Sequence, residues 1–153
     1  MIVVSDTSPL TALLTIGEAG LLSRLFGDVI IPEEVRNELA RSHSSLPLWI
    51  RVEPVKNLAE AARLSQIVDR GEAEAIELAK ELHADRLLID ERKGRRVAMQ
   101  EGVPVIGLVG TVILAKRRQM IHSARTLLQR LEQESGFYLS AAVRYQALRS
   151  VGE

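Results

Sequence analysis

Short apolar runs alternate with longer amphipathic segments along this chain. The run at residues 2–4 and the run at residues 29–31 are continuous and β-branched, which is typical of strands buried on both faces. We predict strands at residues 2–4, 29–31, 49–55, 86–89 and 103–107. Apolar positions at helical spacing predict helices at residues 9–16, 18–26, 32–40, 59–68, 72–82, 92–102, 109–118, 123–134 and 140–149. This order predicts a three-layer α/β/α fold around a central, mainly parallel sheet of four to five strands.

Local signals add detail to this outline. Ser8 stands directly before Pro9, so we predict that Ser8 caps the first helix and leaves Asp6 free for another role. Gly71 is predicted to end the helix that precedes it. We expect one domain over residues 1–153, with a helical C-terminal extension from about residue 116. Two surfaces are candidate contacts between copies of the chain: the C-terminal helices, or the apolar faces of the first two helices, whose members are Leu13, Leu21, Leu22 and Phe26.

Composition narrows the function classes. The chain has no cysteine, which excludes disulfides, thiolate metal sites and cysteine nucleophiles. Its three histidines are scattered and its formal net charge is zero, so bulk charge does not indicate a strongly basic nucleic-acid binder. No secretion signal and no apolar run of about 20 residues is visible, so we expect a cytoplasmic protein without a membrane partner.

Acidic residues recur where apolar strands end or helices begin. Asp6 follows the first strand, and Asp90 follows the strand at residues 86–89. Because ligands of parallel α/β folds bind outside the carboxyl ends of the strands, the fold could gather these acids at one edge. Carboxylates that are close together repel one another unless a hard divalent cation neutralises them, and Mg²⁺ or Mn²⁺ prefers oxygen ligands. The pattern therefore points to metal-assisted phosphodiester chemistry.

Two further regions carry acids with a competing structural explanation. Glu38 lies on the third helix and could simply face solvent. Glu72 and Glu74 lie in the first turns of the helix at residues 72–82, where the helix dipole favours acids without any function. Glu74 is flanked by alanines on a helix that otherwise looks buried, so we predict that Glu74 faces inward and keep Glu72 as the alternative.

Four segments together resemble the ordered motifs of the PIN-domain family. They are Val4-Ser5-Asp6-Thr7-Ser8-Pro9-Leu10, residues 29–39 (which end in Glu38-Leu39), Gly71-Glu72-Ala73-Glu74-Ala75-Ile76, and Leu88-Ile89-Asp90-Glu91-Arg92. The resemblance spans about residues 1–114 and is nearest to a branch with the DTSPL and GEAEA signatures. That family includes the VapC-type toxins of toxin–antitoxin pairs, in which three or four acids bind Mg²⁺ or Mn²⁺ and hydrolyse RNA.

The resemblance implies a site and partners. Its catalytic acids would be Asp6, Glu38, Glu74 and Asp90, and its metal ligands Asp6, Asp90 and Glu74, with Glu72 and Glu91 as alternates. The implied substrate is RNA, bound by Thr7, Ser8, Arg92, Lys93, Arg95 and Arg96. A small antitoxin protein and a homodimer are also implied. Glutamate at the third acidic position and the acid pair at the fourth depart from the usual family pattern.

Two other interpretations compete with this one. The chain could be a catalytically weak or inactive PIN-like module that binds nucleic acid or protein. A response-regulator-like phosphoacceptor also gathers acids at strand ends, but it expects paired acids after the first strand, and Ser5-Asp6-Thr7 lacks that pair.

Overall fold

The structure is a computed structural model that describes all 153 residues. Its strands are β1 (Val3–Ser5), β2 (Val29–Ile31), β3 (Ile50–Val52), β4 (Arg86–Leu88) and β5 (Val105–Ile106). Its helices are α1 (Thr7–Thr15), α2 (Gly20–Phe26), α3 (Glu33–Ala40), α4 (Leu58–Leu64), α5 (Arg70–Glu81), α6 (Arg92–Gln100), α7 (Leu108–Arg117), α8 (Ala124–Ser135) and α9 (Ala141–Ser150).

All five strands are parallel, in the order β3-β2-β1-β4-β5. The chain builds outward from β1 to β3, then crosses to the other side of β1 for β4 and β5. The strand order therefore reverses between β1 and β4, which is the position where parallel α/β sheets bind their ligands. The residues that follow these two strands include Asp6 and Asp90.

Apolar residues cover the sheet on both faces. Successive strand side chains point to opposite faces, so Val3 and Leu88 join one apolar cluster while Val4 and Leu87 join the other. Helices α4, α5 and α6 cover the second face, and the remaining helices cover the first. The predicted three-layer fold with a parallel sheet is confirmed. The helices that follow residue 116 contribute buried side chains to the first cluster.

Three local predictions are wrong. Helix α1 begins at Thr7, which makes Asp6 rather than Ser8 the residue at its N-cap position. Helix α4 ends at Leu64, and Gly71 lies in the first turn of α5 instead of ending the helix before it, because Asp69 caps α5. The four apolar residues suggested as a dimer contact lie in the core and are at most 6% exposed, namely Leu13, Leu21, Leu22 and Phe26. None of the nine helices combines the length and the apolar character needed to cross a membrane.

Candidate active site

A cavity of about 550 Å³ opens at the carboxyl edge of the sheet, at the point where the strand order reverses. Five acidic side chains line it: Asp6, Glu38, Asp69, Glu72 and Glu91. No lysine, arginine or histidine lines it. Asp90 is not part of the wall, but it lies close enough for its charge to act on Asp6. The fold thus gathers acids from four separate parts of the sequence without a neutralising cation of its own.

Helix N-termini surround these carboxylates. Asp69 caps α5 by accepting a hydrogen bond from the Glu72 amide at 2.8 Å, and Glu91 caps α6 by accepting one from the Gly94 amide at 2.7 Å. Asp90 Oδ1 accepts a hydrogen bond from the Leu108 amide at 2.9 Å, at the start of α7. The positive end of a helix dipole stabilises a nearby negative charge. Backbone dipoles therefore partly offset the repulsion among the acids.

Glycines leave room for three of the carboxylates. A Cβ atom on Gly71 would lie within 3.0 Å of Glu38 Oε1, and one on Gly94 would lie equally close to Glu72 Oε2. A Cβ atom on Gly107 would lie 2.8 Å from Asp90 Oδ1. These distances are shorter than real Cβ atoms adopt. Each side chain therefore depends on a glycine in a neighbouring helix turn or strand end.

The structure places Glu72 in the cavity and Glu74 outside it. Glu72 is 6% exposed, and its Oε2 is buried without a hydrogen-bond partner. Glu74 Oε1 instead accepts a hydrogen bond from the Glu34 amide at 3.2 Å, at the start of α3. The prediction that Glu74 faces inward is wrong: positions 72 and 74 point about 200° apart on a helix, and the packing of α5 against β1 and α3 turns Glu72 toward the cavity and Glu74 toward the start of α3.

Burial dominates the acid–base behaviour of Asp6 and Glu72. It raises the pKa of Asp6 to about 7, with further increases from the charges of Asp69, Glu38 and Asp90, while the Thr7 amide acts in the opposite direction. Burial also raises the pKa of Glu72 to about 8, and its hydrogen bond with Asp69 and the charge of Asp6 act the same way. Near neutral pH these two carboxyl groups are therefore partly protonated in the metal-free protein.

The other two predicted acids show the same direction of shift. Burial raises the pKa of Glu38, although the neighbouring Thr7 hydroxyl opposes this increase. Burial also raises the pKa of Asp90, while the Leu108 amide and the Arg95 charge oppose it. Asp90 Oδ2 is buried without a hydrogen-bond partner. The four acids therefore share an environment that favours either a proton or a cation.

The predicted substrate-binding residues divide into two groups. Thr7 and Ser8 line the cavity, and Arg92, Lys93 and Arg96 are exposed on α6. Arg95 is half-buried, and its guanidinium donates a hydrogen bond to the Ile89 carbonyl at 3.0 Å. Arg95 thus fixes the end of β4 and is less available to a substrate than its neighbours.

Sequence reasoning missed two parts of the cavity. Asp69 is not among the predicted acids, although an acid three residues before Glu72 is the pattern of a capping box, which the structure contains. The connector between α8 and α9 also forms part of the wall, through residues 135–138. No local pattern identifies that connector, because its position depends on how α8 packs against α1 and α7.

The donor set fits a hard divalent cation. All the acidic donors are oxygens, and two buried carboxylate oxygens lack a hydrogen-bond partner, on Glu72 and Asp90. No three acidic or imidazole side chains converge on a common point as the structure stands. Mg²⁺ usually retains several waters and needs only one or two protein carboxylates, so convergence of three is not a requirement.

The comparison with known proteins identifies the family. The chain matches the PIN-domain family DUF3368 over residues 2–153. No curated protein and no solved structure matches it. PIN domains are generally nucleases and typically use divalent metal ions. Because the match covers nearly the whole sequence, this chain belongs to the PIN-domain family DUF3368.

Proposed function

We propose that this protein is a metal-dependent endoribonuclease that hydrolyses RNA phosphodiester bonds. One observation carries the proposal: acids cluster at the point where the strand order reverses, two of them (Asp6 and Glu72) are buried, and no basic side chain lines their cavity. Acids that are structural are normally paired with a cation or exposed to water. Here the uncompensated charge favours a cation from solution, and the nuclease character of PIN domains gives that cation a role.

The acids of the cavity would have two roles, binding the cation directly and binding its waters. Asp6 and Glu72 would hold Mg²⁺ or Mn²⁺, and Glu38 and Asp90 would hold its waters; we assign the third acid to Glu72 instead of Glu74. A bound cation of this kind lowers the pKa of a coordinated water and polarises a phosphate. The pKa values near neutrality allow Asp6 and Glu72 to release their protons when the cation binds.

The remaining residues would position the substrate. Thr7 and Ser8 line the cavity, where the Ser8 hydroxyl would donate a hydrogen bond to a phosphate and the buried Thr7 hydroxyl would orient Glu38. The exposed basic side chains of α6 would contact the RNA backbone, which orients a substrate without reading its sequence. Those side chains are Arg92, Lys93 and Arg96.

A cleavage assay tests the proposal. Purified protein is incubated with a mixed, end-labelled RNA pool and Mn²⁺, beside Asp6→Asn, an EDTA control and the matched acid variant Glu60→Gln. Glu60 lies on α4, outside the cavity. We expect cleavage by the native protein and Glu60→Gln, and none by Asp6→Asn or in EDTA. Cleavage that survives in Asp6→Asn would reject the assigned site.

The lack of three converging acids gives some support to a different function, a PIN-like module that binds nucleic acid or protein without turnover. The same assay separates the two functions. Retained RNA binding without Mn²⁺-dependent cleavage by the native protein would favour the binding module and reject the nuclease.

We also propose that the nuclease is the toxin of a toxin–antitoxin pair. A small antitoxin protein would then cover the acidic cavity, and the protein would form a homodimer through a surface other than the buried faces of α1 and α2. Induced expression of the native chain should arrest cell growth, whereas Asp6→Asn expressed to the same level should not. Equal growth of the two strains would reject the toxin role.

A further inference from the structure

A groove of about 470 Å³, separate from the acidic cavity, runs along one side of α9. The helix lines it with residues that recur every three or four positions: Ala141, Arg144, Tyr145, Leu148 and Arg149. Such residues share one helix face, so the groove follows the helix along its length of about 15 Å. Arg125, at the start of α8, forms part of the facing wall.

The groove begins close to the acidic cavity. Tyr138 lines the cavity and Ala141 lines the groove, and three residue steps span at most about 11 Å. Helix α9 runs antiparallel to α8, because Arg144 contacts Glu132 near the end of α8 while Glu153 contacts its first residues. The groove therefore leads away from the acids and toward the start of α8.

The charge of the groove is opposite to that of the cavity. Three arginines line it, and its single acid, Glu153, is already engaged as a cap. The Glu153 carboxylate accepts hydrogen bonds from the amides of Ala124 at 2.7 Å and Arg125 at 3.2 Å. Arg149 has no carboxylate partner, so its positive charge is available to a ligand.

Aromatic rings accompany these charges. The chain has two tyrosines, and both lie on this path: Tyr138 is 83% exposed at the cavity and Tyr145 is 62% exposed in the groove. Arg149 donates a hydrogen bond to the Tyr145 hydroxyl at 2.7 Å and lies 5.9 Å from the centre of its ring. An exposed ring beside an ordered guanidinium suits a ligand that offers both flat bases and phosphates.

We propose that this groove binds single-stranded RNA that extends from the acidic cavity. Tyr138 and Tyr145 would stack on successive unpaired bases, and Arg125 and Arg149 would contact phosphates. A single strand is required because the bases of a duplex are stacked on one another and are closed to the two rings. The inference rests on the proposed function, since the cavity at one end of the groove is where the RNA would be cut.

RNA affinity, measured in EDTA so that no metal-dependent cleavage occurs, tests whether the groove binds RNA. Fluorescence anisotropy of a labelled 12-nucleotide RNA in EDTA gives the affinity of the native protein, Arg149→Glu and Tyr145→Ala. Arg86→Glu is the matched control, because Arg86 is exposed at the amino end of β4, on the opposite edge of the sheet. We expect Tyr145→Ala to weaken binding roughly tenfold, since stacking on a base contributes this much.

The salt dependence separates a phosphate contact from a structural effect. We expect Arg149→Glu to weaken binding and to reduce the slope of log affinity against log salt concentration by about 0.7, the value for one lost phosphate contact on a single strand. Arg86→Glu should change neither quantity. A duplex of the same sequence should bind equally well to native protein and Tyr145→Ala.

Two outcomes would contradict the proposal that the groove binds RNA. One is an RNA affinity that is the same in Arg149→Glu, Tyr145→Ala and the native protein. The other is a change from dimer to monomer in Arg149→Glu with unchanged RNA affinity, which would make the groove a contact between two copies of the chain. Manganese-dependent cleavage is measured separately. If both variants bind RNA more weakly and the native protein cleaves no RNA, the groove binds RNA but the proposed nuclease activity is rejected. If both variants bind RNA as tightly as the native protein and the native protein cleaves RNA, only the proposed role of the groove is rejected.

Discussion

Glutamates at the two ends of α5 lie in opposite environments: Glu72, at one end, lacks a cationic partner, and those around Lys80, at the other end, have one. At its start, Glu72 is buried in the acidic cavity without a cation, and its pKa is raised to about 8. Near its end, Lys80 lies 3.2 Å from Glu60 and 2.9 Å from Glu101. The hydrogen bonds that Glu60 receives from Arg63 and Lys80 hold the pKa of Glu60 at about 2.

This difference separates structural acids from available ones. The acids around Lys80 already have cations and connect α4, α5 and the end of α6. The acids at the cavity have backbone amides and helix dipoles but form no salt bridge, so their charge is only partly offset. A free divalent cation would therefore be stabilised most by the acids of the cavity and least by the acids around Lys80.

The largest expected difference in RNA cleavage is between variants of Glu72 and Glu74, two glutamates of α5. We expect Glu72→Gln to lower Mn²⁺-dependent RNA cleavage roughly 100-fold, because it removes a charged metal ligand. Glu74→Gln should change cleavage less than about twofold, since Glu74 bonds the start of α3 outside the cavity. Initial rates under single-turnover conditions measure both. Equal loss in the two variants would contradict the assignment of Glu72.

A glycine substitution tests the cavity without changing an acid. The added methyl group of Gly94→Ala would meet Glu72 Oε2 and, at 2.8 Å, Ile89 Cδ1. We expect cleavage to fall roughly tenfold and the free energy of unfolding to fall by about 1–3 kcal/mol, the usual cost of overpacking. Gly20→Ala is the control, because nothing lies within 4 Å of its added Cβ. Native-like cleavage by Gly94→Ala would show that Glu72 does not need its present position.

The stability of the metal-free protein should depend on pH with a definite sign. The pKa values of Asp6 and Glu72 rise from 3.8 and 4.5 to about 7 and about 8. The folded state therefore binds more protons than the unfolded state between these values, so the free energy of unfolding falls as pH rises. We expect the melting temperature to drop from about pH 5 to about pH 9 and to recover on addition of Mn²⁺.

Variants of single acids test whether Asp6 and Glu72 cause this decline in melting temperature. Asp6→Asn and Glu72→Gln should each flatten the decline, because each removes one of the titrating groups. Glu60→Gln should leave it unchanged, since the pKa of Glu60 is lowered and its contribution changes only in acid. A melting temperature that rises from pH 5 to pH 9 would contradict the shifts of Asp6 and Glu72.

The smallest effect is expected at the other end of α5. Glu101→Gln removes one carboxylate partner of Lys80 and of Arg63, while Lys80 keeps Glu60 and Glu77. Partly exposed ion pairs contribute little, so we expect a loss of about 1 kcal/mol or less in the free energy of unfolding, measured in urea, and cleavage within about twofold of native. A large loss of cleavage would show that the two ends of α5 are coupled.

Sequence alone predicts much of this molecule, because the strongest signals are local. Short apolar runs predict every strand, and the acids that follow β1 and β4 lie at one edge because the sheet is parallel. The choice between Glu72 and Glu74 does not follow from the local pattern, because the two positions point about 200° apart on the helix and the packing of α5 against β1 and α3 decides which one faces the cavity. The contribution of the α8–α9 connector also depends on long-range packing.

Calorimetric titration of Mn²⁺ into the metal-free protein at pH 7 tests the central claim most directly. Repeating it in two buffers with different ionisation enthalpies counts the protons released on binding. We expect one saturable site that releases roughly one proton, from Asp6 and Glu72, and that is lost in Asp6→Asn but kept in Glu60→Gln. Absence of binding, or binding that is unchanged in Asp6→Asn, would contradict a metal site in the acidic cavity.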